Sequence, residues 1–126
     1  MSGIDNAIKQ LWKDGIKIVK LWENASPSSA FAAQTIPLDT EGYEEALVLP
    51  MSDNGLNGAF IVRKNEDRVL YSTGGYPLQR RYELTDSGLT VQAGDRLVGG
   101  GWQTNNQDMK PYIIYGLKFL LGGGIE

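Results

Sequence analysis

The chain has 126 residues, with twelve basic and fifteen acidic side chains, and it contains neither cysteine nor histidine. A chain of this length forms one domain that buries its own core without a disulfide or a metal ion. The two missing residue types exclude thiolate zinc sites, Ser-His-Asp and Cys-His catalysis, and histidine pH switches. We therefore predict that the protein is not an enzyme and that it binds no cofactor and no metal ion.

The net charge is −3, and the basic residues are scattered along the chain. Nucleic-acid binding requires a basic stripe that neutralises phosphates, and the sequence contains none. No apolar run approaches the roughly 20 residues of a membrane span, and the N-terminus lacks the apolar centre of a signal peptide. These features predict no nucleic-acid partner, no membrane span and synthesis in the cytoplasm without export by a signal peptide.

Residues 1–15 are predicted to form a short amphipathic helix. Their apolar side chains recur at helical spacing and therefore share one face; they are Ile4, Ala7, Ile8, Leu11 and Trp12. A helix of about 11 residues is marginal alone, so its apolar stripe has to pack against something. The stripe packs either on its own domain or on another chain, in which case Ile4, Ile8, Leu11 and Trp12 form an oligomer or partner contact.

After Gly15 the pattern changes to short strand-like runs separated by turn signals. The predicted strands are 16–22, 33–38, 46–51, 59–64, 68–73, 78–85, 89–93, 95–102 and 112–121. Runs of this length, with turns about every 8–12 residues, are typical of all-β sandwiches and barrels. We therefore predict a mainly β fold over residues 16–121. It is a single antiparallel, jelly-roll-like β-sandwich of about eight or nine strands, with the tail 122–126 outside it.

Two hairpins are predicted within this fold. The first joins 60–64 to 67–71 through Asn65-Glu66, and the second joins 81–85 to 89–91 through Asp86-Ser87-Gly88. Asparagine, aspartate and glycine favour such tight turns. The run 112–121 is the most apolar, which predicts a central strand buried on both faces.

A polar segment from Trp102 to Asp108 has the composition of a sugar-binding loop. An aromatic ring stacks on a sugar ring, while amides and carboxylates form hydrogen bonds with its hydroxyl groups. Tyr76 adds a second ring if its loop lies at the same end of the sandwich. The candidate glycan-binding residues are Trp102, Gln103, Asn105, Asn106 and Tyr76. The alternative is that Trp102 belongs to the core and that the polar run is a solvated loop.

Two phrases near the ends of the predicted sandwich carry a resemblance to known proteins. The first, Lys20 to Asp39, reads KLWENASPSSAFAAQTIPLD, and the second, Pro111 to Lys118, reads PYIIYGLK. In this order they resemble the opening and closing wording of small β-sandwich domains encoded in phages and prophages of Gram-positive and gut bacteria. Such genes resemble those for tail-fibre or head-fibre accessory proteins and minor structural proteins.

The resemblance implies a non-enzymatic virion component, made in the cytoplasm of the bacterial host, that acts through self-association and surface binding. It brings no catalytic residues. The implied partners are copies of the same chain or other virion proteins, and a cell-surface glycan. An uncharged interval between Glu23 and Asp39 agrees with self-association, because interface cores are depleted of charge. The alternative is a stand-alone carbohydrate-binding β-sandwich module.

Overall fold

The computed structural model describes residues 16–52, 55–73 and 76–119 of the chain. The predicted N-terminal helix, with Ile4, Ile8, Leu11 and Trp12, and the predicted tail 122–126 lie outside these ranges. Within the described ranges the chain is mainly β, with two antiparallel sheets and no helix. The prediction of a mainly β, sandwich-like fold is therefore confirmed.

The described residues form ten strands. They are β1 (Ile16–Glu23), β2 (Gln34–Pro37), β3 (Glu45–Ser52), β4 (Gly55–Leu56), β5 (Phe60–Arg63), β6 (Asp67–Ser72), β7 (Leu78–Thr85), β8 (Gly88–Val98), β9 (Gly101–Thr104) and β10 (Lys110–Phe119). The first sheet has the order β1-β10-β3, with β4 and β5 both paired to β3. The second sheet has the order β2-β8-β7-β6, with β9 also paired to β8.

The main core consists of side chains from the inner faces of both sheets. In β3 alternate residues point inward, so Ala46 and Val48 are buried, and in β7 Tyr82 and Leu84 are buried in the same way. The buried members of this cluster are Ile36, Ala46, Val48, Val62, Leu70, Leu78, Tyr82, Leu84, Leu89, Val91, Met109 and Ile114. Because these residues, with Met109 just before β10, come from β3, β5 and β10 of the first sheet and from β2, β6, β7 and β8 of the second, the core fixes the two sheets against each other.

The predicted central strand near the C-terminal end is confirmed as β10. It lies between β1 and β3, and its residues from Ile113 to Leu117 are buried. The ladder with β3 shifts register between Pro111 and Ile113. This bulge accommodates the proline, which has no N–H to give to the ladder.

The predicted hairpin of β7 and β8 is confirmed, with its turn at Asp86-Ser87. The two runs predicted after it, 89–93 and 95–102, are divided differently in the structure. Gly88–Val98 is one continuous strand, and Gly99-Gly100 form a two-residue turn into β9. Their φ angles of 61° and 83° are those that a type I′ turn requires.

The predicted hairpin of β5 and β6 is wrong. β5 pairs with β3 in the first sheet, whereas β6 pairs with β7 in the second. Asn65, between them, has a φ of 64°, and its N–H donates to the Leu84 carbonyl at 2.7 Å. The chain therefore turns a corner from one sheet to the other, which places Val62 and Leu70 on the two sides of the core.

Candidate functional site

A buried arginine connects the second sheet to the loop that follows β9. The Arg80 side chain projects inward from β7 and is 1% exposed. Its Nε donates to the Gln92 carbonyl at 2.7 Å, and its Nη1 donates to the carbonyls of Asn106 and Asp108, each at 3.2 Å. Its Nη2 donates to the carbonyl of Phe31. One guanidinium thus holds β8, the loop after β9 and the loop before β2 together.

Asn105 and Asn106, two of the predicted glycan-binding residues, shape that loop. Oδ1 of Asn105 accepts a hydrogen bond from the Gln107 N–H at 3.0 Å, and Oδ1 of Asn106 accepts one from the Gly94 N–H at 3.1 Å. The Asn105 N–H donates to the Gly94 carbonyl at 2.7 Å. Both side chains are half-buried, and both amide oxygens are used inside the protein. Their observed contacts position the loop.

The ring of Tyr76 packs against Arg96, which forms an ion pair with Asp108. The Asp108 side chain is fully buried, and Nη2 and Nε of Arg96 donate to its two carboxylate oxygens at 2.6 and 2.9 Å. The Arg96 guanidinium lies over the Tyr76 ring, 5.8 Å from its centroid. A charged guanidinium is attracted to the face of an aromatic ring. The exposed Tyr76 ring is therefore anchored to the same loop as Asn105 and Asn106.

Burial controls the ionisation of the two polar groups at the centre of this region. The Tyr82 hydroxyl donates to the Met109 carbonyl at 2.6 Å, and burial raises the pKa of Tyr82 far above its usual value, although Arg80 opposes this shift. Burial also lowers the pKa of Arg80, while Tyr82, Asp108 and Asp95 act in the opposite direction. A guanidinium in a protein nevertheless stays charged. At neutral pH the region contains an uncharged phenol and a charged guanidinium.

Trp102 and Gln103 are exposed, but they point to opposite faces of the second sheet, because neighbouring strand residues alternate. Trp102 lies opposite Leu97 and shares the outer face with it. Gln103 lies opposite Arg96, the residue that contacts Tyr76. The structure therefore brings Gln103 near Tyr76 and does not bring Trp102 and Tyr76 onto one face.

An open groove of about 390 Å³ lies on the outer face of the second sheet. A β-bulge shapes it, because the ladder of β7 and β8 shifts by one residue and leaves Gln92 and Ala93 opposite Arg81. The side chains on the groove's outer surface come from three neighbouring strands; they are Asp67, Val69, Gln79, Arg81, Gln92, Ala93 and Asp95. The groove thus lies on the sheet itself and not on a loop.

The polar side chains of the groove are available to a ligand. Among the described residues, Asp67, Gln79, Arg81, Gln92 and Asp95 form no hydrogen bond or ion pair through their side chains. Carboxylates accept hydrogen bonds, a guanidinium donates them, and amides do both. This mixture suits a ligand rich in hydroxyl groups. The carboxylates of Asp67 and Asp95 are balanced by the guanidiniums of Arg81 and of the buried Arg80, which also lines the groove, and this balance favours an uncharged ligand over an anionic one.

Tyr71 is a further aromatic residue of this face that is absent from the sequence-predicted set. It lies on β6 opposite Gln79, and its side chain is 54% exposed. Trp102 lies on β9, the strand next to Asp95, and it is two residues from Thr104, which pairs with Asp95. The Cα atoms of Asp95 and Trp102 are therefore about 8 Å apart. The alternation of side chains along β6 predicts that Tyr71 points outward. Placing Tyr71 beside Gln79 also requires the knowledge that β6 pairs with β7.

No family model matches the chain, and no curated protein and no solved structure matches it either. Among the described residues, no helix has the length and apolar character needed to cross a membrane. The same part of the chain contains no cluster of three or more carboxylate side chains that could bind a metal ion. The polar groove with its two flanking rings is thus the site from which a function can be argued.

Proposed function

We propose that the chain is a non-enzymatic binding domain that holds a sugar chain on the outer face of its second sheet. The observation that supports this proposal is the polar groove, because the exposed rings of Tyr71 and Trp102 lie on either side of the end of the groove that Gln79 and Asp95 form. The two rings are three strand spacings apart and offset by two residues, which corresponds to about 16 Å. This length fits a short oligosaccharide that stacks on a ring at each end and forms hydrogen bonds between them.

Glycan-array screening followed by titration calorimetry tests this proposal. We expect wild-type protein to bind a neutral oligosaccharide, and we expect Tyr71→Ala and Trp102→Ala each to weaken binding by about tenfold, because each removes one stacking ring. Arg81→Gln should also weaken binding, because it removes an exposed guanidinium that lines the groove. Unchanged melting temperatures would show that the losses arise in the site.

Tyr76→Ala is the matched control, since this ring is as exposed as Tyr71 but lies against Arg96. Binding by Tyr76→Ala should equal that of wild type. If Tyr76→Ala and substitutions of Asn105 or Asn106 abolish binding while Tyr71→Ala does not, the sugar lies on the loop after β9 and the groove is not the site. If no glycan is retained by the wild-type protein, the proposal fails.

We further propose that the chain is a structural or fibre-associated component of a phage or prophage particle and that it self-associates there. The resemblance of the phrases at Lys20–Asp39 and Pro111–Lys118 supports this setting, as does a fold of two antiparallel sheets. In this proposal the sheets form one jelly-roll-like sandwich that follows the N-terminal helix. Copies of the chain or other virion proteins are its partners, and a cell-surface glycan occupies the groove.

Sedimentation of particles after prophage induction tests the virion proposal. We expect the chain to co-sediment with assembled particles and to remain with them through a density gradient, in amounts that indicate several copies per particle. A host carrying the same gene without the other structural genes is the control, and there the chain should stay in the supernatant. A chain that binds glycan but never accompanies particles is instead a stand-alone carbohydrate-binding module, the second candidate function.

A further inference from the structure

β9 is an edge strand of the second sheet, and its outer side is open. Among the described strands it pairs only with β8, and all four of its residues, Gly101–Thr104, are exposed. Within the part of the chain that the structure describes, these residues form no hydrogen bond beyond that pairing. A row of backbone groups at such an edge is a template for a further strand.

Two residues of β9 direct their backbone groups to this open side. In an antiparallel ladder, pairs that exchange hydrogen bonds alternate with pairs that do not. The Leu97 N–H donates to the Pro77 carbonyl at 2.9 Å, on the side away from β9. Its partner Trp102 therefore belongs to a pair without hydrogen bonds, and so does Thr104, two residues further along. The N–H and C=O groups of Trp102 and Thr104 thus point away from β8.

The other edge strands of the described part carry features that oppose such pairing. Charges, proline, bulges and short length protect natural edges. β1 contains a bulge, and β4 has only two residues. β2 contains Pro37, and β6 begins with Asp67 and Arg68. In β5 the Ile61 carbonyl already accepts a hydrogen bond from Arg68 at 2.7 Å. β9 has no charge, no proline and no bulge, and its four residues limit the pairing to one short ladder.

We propose that β9 pairs with β9 of a second copy of the chain, antiparallel and about a two-fold axis at Gln103. The pairing rests on the self-association proposed above and names the surface that carries it. In this register Trp102 lies opposite Thr104 of the second copy, so every outward N–H and C=O of these residues finds a partner. Like charges that meet across a ladder destabilise it, and β9 contains no charged residue.

The pairing joins the two second sheets into one continuous sheet with both grooves on the same side. The two Tyr71 rings are then seven strand spacings apart, which is about 34 Å. A sugar chain that runs along both grooves is held at two sites at once, and this raises its apparent affinity without a new contact. Two four-residue edges bury far less than the roughly 1,200 Å² of a stable interface, so we expect the pair alone to be weak.

Sedimentation equilibrium of the full chain, from micromolar to millimolar concentration, tests the pairing through a charge exchange at the axis. Gln103→Lys places two like charges opposite each other, and Gln103→Glu does the same with the opposite sign. Each variant alone should associate about fivefold more weakly than wild type, whereas an equimolar mixture should recover the association. A mixture that associates no better than either variant alone would contradict the proposal.

Thr104→Pro and Thr104→Val form a second, matched pair of variants. Proline removes an outward N–H that β8 does not use, whereas valine keeps it. We expect Thr104→Pro to weaken association about tenfold or more, since each copy loses a donor, while Thr104→Val associates as wild type does. Both should melt close to the wild-type temperature. Equal association of the two variants would place the contact elsewhere and overturn the proposal.

Calorimetry of the wild-type protein with a short neutral oligosaccharide separates this pairing from the proposed sugar binding, because one groove suffices for a short ligand. A wild-type chain that stays monomeric at millimolar concentration overturns the pairing, whether or not the sugar binds. A pair that Gln103→Lys weakens, in a protein that binds no sugar, supports the pairing and rejects the sugar proposal alone.

Discussion

Arg80→Met is expected to lower the free energy of unfolding by about 3–5 kcal/mol, because it leaves buried carbonyls without donors. The guanidinium of Arg80 donates to the backbone of four residues from three segments of the chain: Phe31, Gln92, Asn106 and Asp108. Methionine matches the length of the arginine stem but donates nothing. Urea unfolding at constant slope measures the loss.

Arg81→Met is the matched control, since Arg81 is the next residue of β7 and points to the outer face. Its stability should change by less than about 0.5 kcal/mol. If Arg80→Met does not fold, the free energy of unfolding of Arg80→Lys tests the same role. Its single ammonium cannot replace a planar fork of five donors, so it should also be clearly destabilised. Equal unfolding midpoints for Arg80→Met and Arg81→Met would contradict the structural role of Arg80.

A local signal for Arg80 exists in the sequence, whereas its partners cannot be predicted. In β7, Leu78, Tyr82 and Leu84 alternate and are all buried, and Arg80 has the same parity. The alternation therefore predicts an inward arginine. The sequence does not reveal which carbonyls it meets, because Phe31 and Asn106 are 49 and 26 residues away. Contacts at such separations depend on how the sheets pack.

The strands could be predicted because they depend on local sequence, whereas the groove could not because it depends on which strands pair. A strand is a local pattern of alternation and turn residues, and the predicted run 78–85 coincides with β7. The groove needs the order of β6, β7 and β8 and a bulge in one of them. The predicted pairing of β6 with β5 does not place Tyr71 beside Gln79, its neighbour in the structure. The composition of the sequence points to the polar loop at Trp102–Asp108, whereas the five polar side chains of the groove are far apart in the sequence and meet only across three strands.

Gly88→Ala is expected to cost about 2–5 kcal/mol of unfolding free energy, because the new methyl group has no room and the backbone is unsuited to it. Gly88 has a φ of 138°, and a Cβ there would overlap the Ile36 carbonyl oxygen and lie 2.9 Å from the Leu38 nitrogen. These are backbone atoms, which cannot swing away as a side chain can. Relief requires β2 to move off β8, where Pro37 pairs with Gly88.

Gly101→Ala is the control, since a Cβ at Gly101 meets no atom within 4 Å and its φ lies outside the left-handed region. Its stability should stay within about 0.5 kcal/mol of wild type. Hydrogen exchange localises the effect: amides of β2 should lose protection in Gly88→Ala, while those of β10 in the other sheet keep theirs relative to global unfolding. If both glycine variants unfold at the same urea concentration, β2 does not pack on Gly88 as the structure places it. A large loss confined to Gly88→Ala would show that β2 packs closely on this turn glycine. The segment just before β2 contains Phe31, whose carbonyl accepts a hydrogen bond from Arg80, so the contact at Gly88 also helps to hold that segment on the second sheet.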